Sequence, residues 1–147
     1  MRLTRAGDYA VRCLYYLSAQ QEGIVTARKE IAREMDIPEQ FLAKIARQLS
    51  RAGIIEIVQG PKGGFRLIVS SEKLNLLDAV EAVMGEIFLN DCLMSPDSCA
   101  RSGSCAMNMV WERARNQLRE TLREATFDKL LKDESCLGNL MLYENQE

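Results

Sequence analysis

The stretch IPEQFLAKIARQLSRAGIIEIVQGPKGGFRLIVS, residues 37–70, decides the fold. Its first part carries four apolar side chains at spacings of three and four, the pattern of one buried helix face. These residues are Leu42, Ile45, Ala46 and Leu49. They predict a helix from about Glu39 to Arg51, which follows Pro38 and ends before Gly53, a natural left-handed cap.

The second part of the stretch changes to an extended, β-branched pattern. Residues 54–59 and 65–69 read as two strands, and the segment Gly60-Pro61-Lys62-Gly63-Gly64 between them reads as a tight loop. The stretch therefore predicts a helix followed directly by a β-hairpin.

Upstream residues supply two more helices. Residues 5–20 carry apolar side chains at helical spacing, and Gly23 interrupts that pattern. Thr26 is predicted to cap a short second helix, and the turn at residues 36–38 separates this helix from the third. This order describes a winged helix-turn-helix domain, whose third helix has the size that fits the major groove of B-DNA.

Polar and basic side chains are concentrated on the third helix and around the hairpin. Those expected to contact DNA from the third helix are Glu39, Gln40, Lys44, Arg47 and Gln48. The hairpin offers Lys62, Gly63 and Arg66, since glycine lets the backbone approach DNA closely. The residues expected to contact phosphates are Arg2, Arg5, Arg28 and Lys29. The alternative is a helical domain with a solvated polar face.

Charge is distributed unevenly along the chain. Residues 1–70 hold 11 Lys and Arg against 7 Asp and Glu, a net charge of +4, whereas residues 71–147 hold 8 against 14, a net charge of −6. A basic first half is typical of a module that binds a polyanion. Ordinary scatter is the competing explanation.

Composition excludes several classes of protein. No apolar run approaches the ~20 residues of a membrane span, and the first residues lack a signal peptide's apolar core. We therefore expect a cytoplasmic protein with reduced thiols. The chain has no His, and it shows neither a nucleophile–base pair nor a phosphate loop, so we do not expect an enzyme.

The rest of the chain is predicted to be mainly α-helical. A fourth helix covers about residues 76–84, residues 90–105 form a loop, a long helix covers about 106–125, and a short helix lies around 127–131. The fold class is thus mainly α with a small β-hairpin. We divide the chain into a DNA-binding domain (1–85), a cysteine loop (86–105) and a long helix with a C-terminal tail (106–147).

One apolar stripe runs along the long helix. Its members are Met107, Val110, Trp111, Ala114, Leu118, Leu122 and Ala125. The stripe either packs on its own domain or crosses a second copy of the helix in a homodimer. A long helix that leaves a small domain has little of its own chain to pack against, which favours the dimer.

Three of the five cysteines lie within fourteen residues. Cys92, Cys99 and Cys105 are separated by six and five residues rich in Ser, Pro, Asp and Gly. Thiolates in such a loop can converge on one metal centre, and iron–sulfur clusters prefer thiolate ligands. Other interpretations are zinc held by three Cys and a carboxylate, a thiol switch that forms a disulfide, and coincidence. Cys13 lies on the buried face of the first helix, and Cys136 is uninformative.

Several motifs together resemble the winged-helix iron–sulfur regulators of the IscR and NsrR type. They are Met1-Arg2-Leu3-Thr4, Asp8-Tyr9-Ala10-Val11-Arg12, Gly60-Pro61-Lys62-Gly63-Gly64-Phe65 and the three cysteines. The resemblance runs from Met1 to about Leu122.

The resemblance implies a homodimeric repressor that binds a double-stranded DNA operator and senses iron–sulfur status, redox state or nitric oxide. It implies that Cys92, Cys99 and Cys105 hold a 2Fe–2S or 4Fe–4S cluster. IscR-type chains place a His ligand where this chain has Asn108. The resemblance implies Asp8 as the fourth ligand instead, because Asp8 stands at the position of an N-terminal Asp that the partner subunit contributes in NsrR-type chains. The alternative function is a regulator of the same fold that uses the cysteines as a thiol switch or zinc site.

Overall fold

A computed structural model describes residues 2–133 of the chain. The described part contains one two-stranded antiparallel sheet and seven α-helices. The helices are α1 (Arg5–Ala19), α2 (Arg28–Glu34), α3 (Glu39–Arg51), α4 (Leu76–Met84), α5 (Asp91–Met94), α6 (Ala106–Glu124) and α7 (Phe127–Lys132), and the strands are β1 (Ile55–Val58) and β2 (Gly64–Leu67). The predicted fold class, mainly α with a winged helix-turn-helix, is confirmed. No helix within residues 2–133 combines the length and apolar character needed to cross a membrane.

One hydrophobic core holds the helix-turn-helix together. Thr4 caps helix α1, because its side chain accepts a hydrogen bond from the Gly7 backbone N–H, and the helix buries Leu14 and Cys13 completely. Helix α3 buries the four apolar residues predicted from its spacing, and it ends before Gly53, which has the expected left-handed φ of 74°. Burial of these faces fixes α3 against α1, so the opposite face of α3 remains exposed.

Thr26 pairs with the β-hairpin of β1 and β2, which forms the wing, and does not cap a helix. The predicted cap is wrong: α2 is preceded by Ala27, and no side chain caps it. The Thr26 N–H instead donates to the Phe65 carbonyl at 2.9 Å, and the Phe65 N–H donates to the Thr26 carbonyl at 2.8 Å. The pairing is long-range, so local sequence could not reveal it. It ties the start of α2 to the hairpin.

Helix α7 returns to the core of the helix-turn-helix. Phe127 is completely buried in the same core as α1 and α3, and its N–H donates to the Leu74 carbonyl at 3.0 Å. Asn75 caps α4 through the Asp78 N–H and forms a bridge with Thr126. These contacts hold the C-terminal end of α6 beside the N-terminal end of α4.

Residues 90–105, called the cysteine segment below, contain more regular structure than the predicted loop. Residues 90–105, predicted to be a loop, contain α5 and two short 3₁₀ turns, Pro96–Ser98 and Ser102–Ser104. No residue of these three elements is buried. The segment therefore adopts local structure without contributing to the core.

The apolar stripe of α6 divides into two parts. Leu118 and Leu122 pack against Leu77, Val80 and Ile87 of the same chain. At the other end of the helix, Met107, Val110 and Trp111 are exposed, to 64%, 59% and 40% respectively. Own-domain packing therefore accounts for the C-terminal half of the stripe and leaves the N-terminal half without a partner among residues 2–133.

Candidate nucleic-acid interface and metal site

The exposed face of α3 is predominantly basic and polar. Gln40, Lys44 and Arg47 lie together on it, as predicted, and Arg51 continues the same surface. The sequence analysis did not include Arg51, although its spacing of four residues from Arg47 places it on the same face of the helix. Gln48 borders this surface but is half-buried, and its side-chain amide donates to the Val83 carbonyl of α4 at 3.3 Å. Gln48 thus joins α3 to α4.

Glu39 is placed beside a basic residue of α2. Its carboxylate lies 3.7 Å from the guanidinium of Arg28, and both side chains are about half exposed. Lys29 is exposed next to Arg28. Arg28 and Lys29 also line a groove between α2 and the wing loop. The structure therefore brings the α2 cations to the wing, with one of them partly neutralised by Glu39.

The wing presents one free cation at its tip and one paired cation on its strand. Lys62 is exposed, whereas Arg66 forms an ion pair across the hairpin with Glu56. A Cβ at Gly63 would lie 2.2 Å from the Val58 carbonyl oxygen, so the tight turn requires glycine there. Gly63 therefore shapes the tip that carries Lys62.

The two N-terminal arginines lie outside both the α3 surface and the wing groove. Arg2 and Arg5 are exposed at the beginning of the described chain and of α1. Neither is among the residues that line the α3 surface or the wing groove. Their predicted role as phosphate contacts stays a prediction.

Asp8 is part of an ion pair in the first turns of α1. Its carboxylate lies 2.7 Å from the guanidinium of Arg12, one helical turn away. Arg12 also donates to the backbone carbonyls of Met35 and Asp36, at 3.3 and 3.5 Å. These two residues form the turn between α2 and α3. Asp8 is thus connected through Arg12 to the helix-turn-helix turn.

The three clustered cysteines are unpaired thiols near the surface. Cys99 is exposed, and Cys92 and Cys105 are half-buried. The Asn108 side-chain amide donates to the Cys92 sulfur at 3.3 Å, which anchors that sulfur to α6. Within residues 2–133, no three Cys, Asp or Glu side chains are arranged as a group that could hold a metal. The predicted set of Cys92, Cys99, Cys105 and Asp8 is therefore not assembled in the single protomer.

The donor chemistry of this segment nevertheless fits an iron–sulfur cluster. Three free thiols lie on a short segment that buries no residue, so they can move toward one centre without disturbing the core. Cys13 is different, because complete burial raises the pKa of its thiol to about 12. Cys13 is a core residue, as predicted. Cys136 lies outside the described residues.

Two arginines on α6 clamp the chain between α4 and the cysteine segment. Arg115 donates to the Ile87 carbonyl at 2.6 Å, and its guanidinium lies 4.3 Å from the centre of the Phe88 ring. Arg119 forms an ion pair with Glu81 of α4. The Glu81 carboxylate also accepts from the Ile87 N–H at 3.1 Å. Sequence reasoning missed this clamp, because it joins residues almost thirty or more positions apart.

The Rrf2 family, described as iron-dependent transcriptional regulators, matches residues 3–133 of the chain. Among curated relatives, protein aau3 of Rhizobium meliloti is 36% identical over 133 residues, which cover 90% of this chain and 86% of the relative. The HTH-type transcriptional regulator NsrR of Shouchella clausii is 27% identical over 148 residues, 100% of this chain and 99% of that protein.

Solved structures share the fold. A putative transcriptional regulator from Listeria innocua superposes with a TM-score of 0.75 and 26% identity, over 90% of this chain and 88% of that one. T. potens IscR gives a TM-score of 0.73 at 21% identity, over 91% and 88% of the two chains. The oxidised form of Staphylococcus aureus CymR gives 0.69 at 27% identity, over 88% and 95%.

Proposed function

Because the chain belongs to the Rrf2 family of iron-dependent transcriptional regulators, we propose that an iron–sulfur cluster on Cys92, Cys99 and Cys105 governs its affinity for a DNA operator. The observation that carries this proposal is the placement of three free thiols on one surface segment of a winged-helix regulator. In this proposal the protein is a repressor that senses iron–sulfur status, redox state or nitric oxide.

Operator binding rests on the exposed face of α3 and on the wing. Gln40 and Lys44 lie in the N-terminal half of α3, the part of a recognition helix that meets base edges in the major groove. Arg47, Arg51 and Lys62 supply positive charge for the phosphates on either side. Glu39 and Gln48 are less available, since Glu39 pairs with Arg28 and Gln48 bonds to α4.

The exposed half of the α6 stripe supports a homodimer. Met107 and Val110 expose apolar side chains on a helix whose other half is already packed on its own domain. Two α6 helices that cross there would cover both stripes and set two α3 helices in two-fold symmetry. Such a dimer would bind an operator with two half-sites.

The cluster would be held by the three thiolates, with Asp8 as the fourth ligand. When bound, an iron–sulfur cluster supplies a redox-active centre whose loss or change alters the protein around it. Asp8 is engaged with Arg12 in the single protomer, so ligation by Asp8 requires that it exchange Arg12 for the metal centre. Because Arg12 also holds the turn at Met35 and Asp36, this exchange would reach the helix-turn-helix directly.

A second route joins the cysteine segment to α3. Asn108 holds the Cys92 sulfur against α6, and Arg119 on α6 pairs with Glu81 of α4. The Val83 carbonyl of α4 then accepts from Gln48 of α3. These contacts form a contiguous connection that an altered cysteine segment can displace.

A second candidate is a cluster-free regulator of the same fold that uses its cysteines as a thiol switch or zinc site. The observation in its favour is that the thiols are free and at least partly accessible, without an assembled metal group among residues 2–133. A solved relative of 27% identity, CymR, is described in an oxidised form. Disulfide formation needs an external two-electron oxidant, which removes two thiol protons and two electrons.

The test compares operator affinity with and without iron. The operator is a duplex that the anaerobically purified full chain selects from a random library. We expect removal of iron by a chelator to change the dissociation constant at least fivefold. Cys92→Ser should bind with the iron-free affinity throughout. An unchanged affinity on iron removal contradicts the proposal, and a change that appears only when the iron-free protein is oxidised supports the second candidate.

A further inference from the structure

Phe41 is an exposed aromatic residue on the recognition helix. It lies in the first turn of α3, and its side chain is 46% exposed, although phenylalanine is normally buried. The buried face of α3 is complete without it, because Leu42 and Ile45 beside it fill the core. The exposure of Phe41 is therefore not explained by packing within the helix-turn-helix.

The Phe41 ring is held on one side and open on the other. It meets the Tyr9 ring edge to face, with ring centres 5.9 Å apart and planes at 68°. The Arg12 guanidinium lies 5.5 Å from the centre of the same Tyr9 ring, which fixes Tyr9 in turn. A ring supported in this way loses little side-chain entropy when its free side meets a ligand.

The neighbours of Phe41 identify the ligand as DNA. Gln40 precedes it, and Lys44 lies one turn further along the helix on the adjoining exposed face. The N-terminal residues of a recognition helix are those that meet base edges. The apolar group that a major groove offers to a phenyl ring is the 5-methyl group of thymine.

We propose, on the basis of the DNA-binding function proposed above, that Phe41 is a specificity-determining residue that contacts a thymine methyl group in each operator half-site. Gln40 and Lys44 supply hydrogen bonds to neighbouring bases, and Phe41 adds a preference for thymine through contact with its 5-methyl group, which cytosine lacks. The Tyr9 contact sets the ring position, so Tyr9 is a positioning residue for this readout.

The test removes the methyl group from the DNA and leaves the protein unchanged. Thymines of the selected operator are replaced one at a time by deoxyuridine, which lacks only that methyl group. We expect one position per half-site at which the parent protein loses about fourfold in affinity, the effect of one buried methyl group. Phe41→Ala should bind the thymine and deoxyuridine duplexes equally, whereas Lys44→Ala should bind both more weakly and keep the ratio between them.

The outcomes separate this inference from the proposed function. A parent protein that selects an operator but tolerates deoxyuridine at every position overturns the role of Phe41 alone. Phe41→Ala that still discriminates thymine from deoxyuridine at the same position also overturns it, provided that circular dichroism shows the variant folded. A parent protein that enriches no duplex sequence overturns the proposed DNA-binding function together with this inference.

Discussion

The thiols of residues 2–133 differ in burial, so we expect them to differ in reactivity. The pKa of Cys13 is raised to about 12, since complete burial disfavours the thiolate. The thiolate is the reactive form of a cysteine, so the buried Cys13 thiol should react slowly. We expect iodoacetamide to modify Cys92, Cys99 and Cys105 of the folded, iron-free protein and to spare Cys13.

Peptide mass spectrometry measures this difference directly. The control is the same reaction in denaturant, where Cys13 should react as readily as the other thiols. Modification of Cys13 in the folded protein at the rate of Cys99 would contradict its burial in the core.

Gly64 lies where strand β2 of the wing approaches the backbone of Thr26 closely. A Cβ there would lie 2.0 Å from the backbone oxygen of Thr26, which is paired with Phe65, and backbone cannot yield as a side chain can. We expect Gly64→Ala to lower the free energy of unfolding by about 2 kcal/mol or more. Denaturant unfolding of the iron-free protein measures the loss.

The matched control for this substitution is Gly103→Ala. Nothing lies within 4 Å of a Cβ built at Gly103. Its effect should stay within about 0.5 kcal/mol of the parent. If both variants unfold at the parent's denaturant concentration, the close approach of Gly64 to Thr26 is wrong.

Among the elements, α3 and the hairpin were predictable because their signals are local. Helical spacing predicted the buried face of α3, and the Gly-Pro-Lys-Gly-Gly sequence predicted the turn of the wing. The pairing of Thr26 with Phe65 and the return of Phe127 to the core join distant parts of the chain. Such contacts arise from three-dimensional packing, so periodicity and turn residues do not reveal them.

The N-terminal half of the apolar stripe on α6 is exposed, and a second copy of α6 would cover it in the proposed homodimer. Val110 is 59% exposed and lies on this stripe, so a charge there costs the single protomer little. Two such charges facing each other in a dimer would be desolvated and would repel. We expect Val110→Glu to be a folded monomer and the parent to be a dimer, as measured by sedimentation equilibrium.

Asn116→Glu is the control for the dimer prediction. It adds the same charge to an exposed position of α6 on the side away from Val110. It should remain a dimer. A parent that sediments as a monomer, or a Val110→Glu variant as dimeric as the control, would contradict the role given to the stripe.

The wing should contribute to DNA binding mainly through Lys62. Lys62 is exposed at the tip, whereas Arg66 is already paired with Glu56. Each phosphate contact releases counterions, so Lys62→Ala should reduce the slope of log affinity against log salt by about one per protomer. Arg66→Ala should have a smaller effect, because its charge is already neutralised.

Anisotropy titrations of one operator duplex over a series of salt concentrations give these slopes. Lys132→Ala on α7 removes the same charge from a residue that pairs with Asp128 and lies outside the predicted interface, and its slope should equal that of the parent. A Lys62→Ala slope equal to the Lys132→Ala slope would show that the wing tip does not meet phosphate.

The sequence pattern predicted the separate elements of the molecule better than the contacts that connect them. The cysteine segment, the winged helix and the long helix were each visible as patterns. The clamp by Arg115 and Arg119, and the link from Arg12 to the turn at Met35, depend on how these parts pack. Cys92, Cys99 and Cys105 are not assembled into one metal-binding group within residues 2–133, so neither the sequence pattern nor the fold of the single protomer predicts the geometry of the proposed site.

We propose that Cys92, Cys99 and Cys105 hold an iron–sulfur cluster. The most direct measurement is the iron and acid-labile sulfide content of the full chain purified without oxygen, together with its visible absorbance. We expect a brown protein with iron and sulfide in comparable amounts, and a colourless, folded Cys99→Ser variant that has lost most of both. A colourless parent protein that contains stoichiometric zinc or no metal would contradict it.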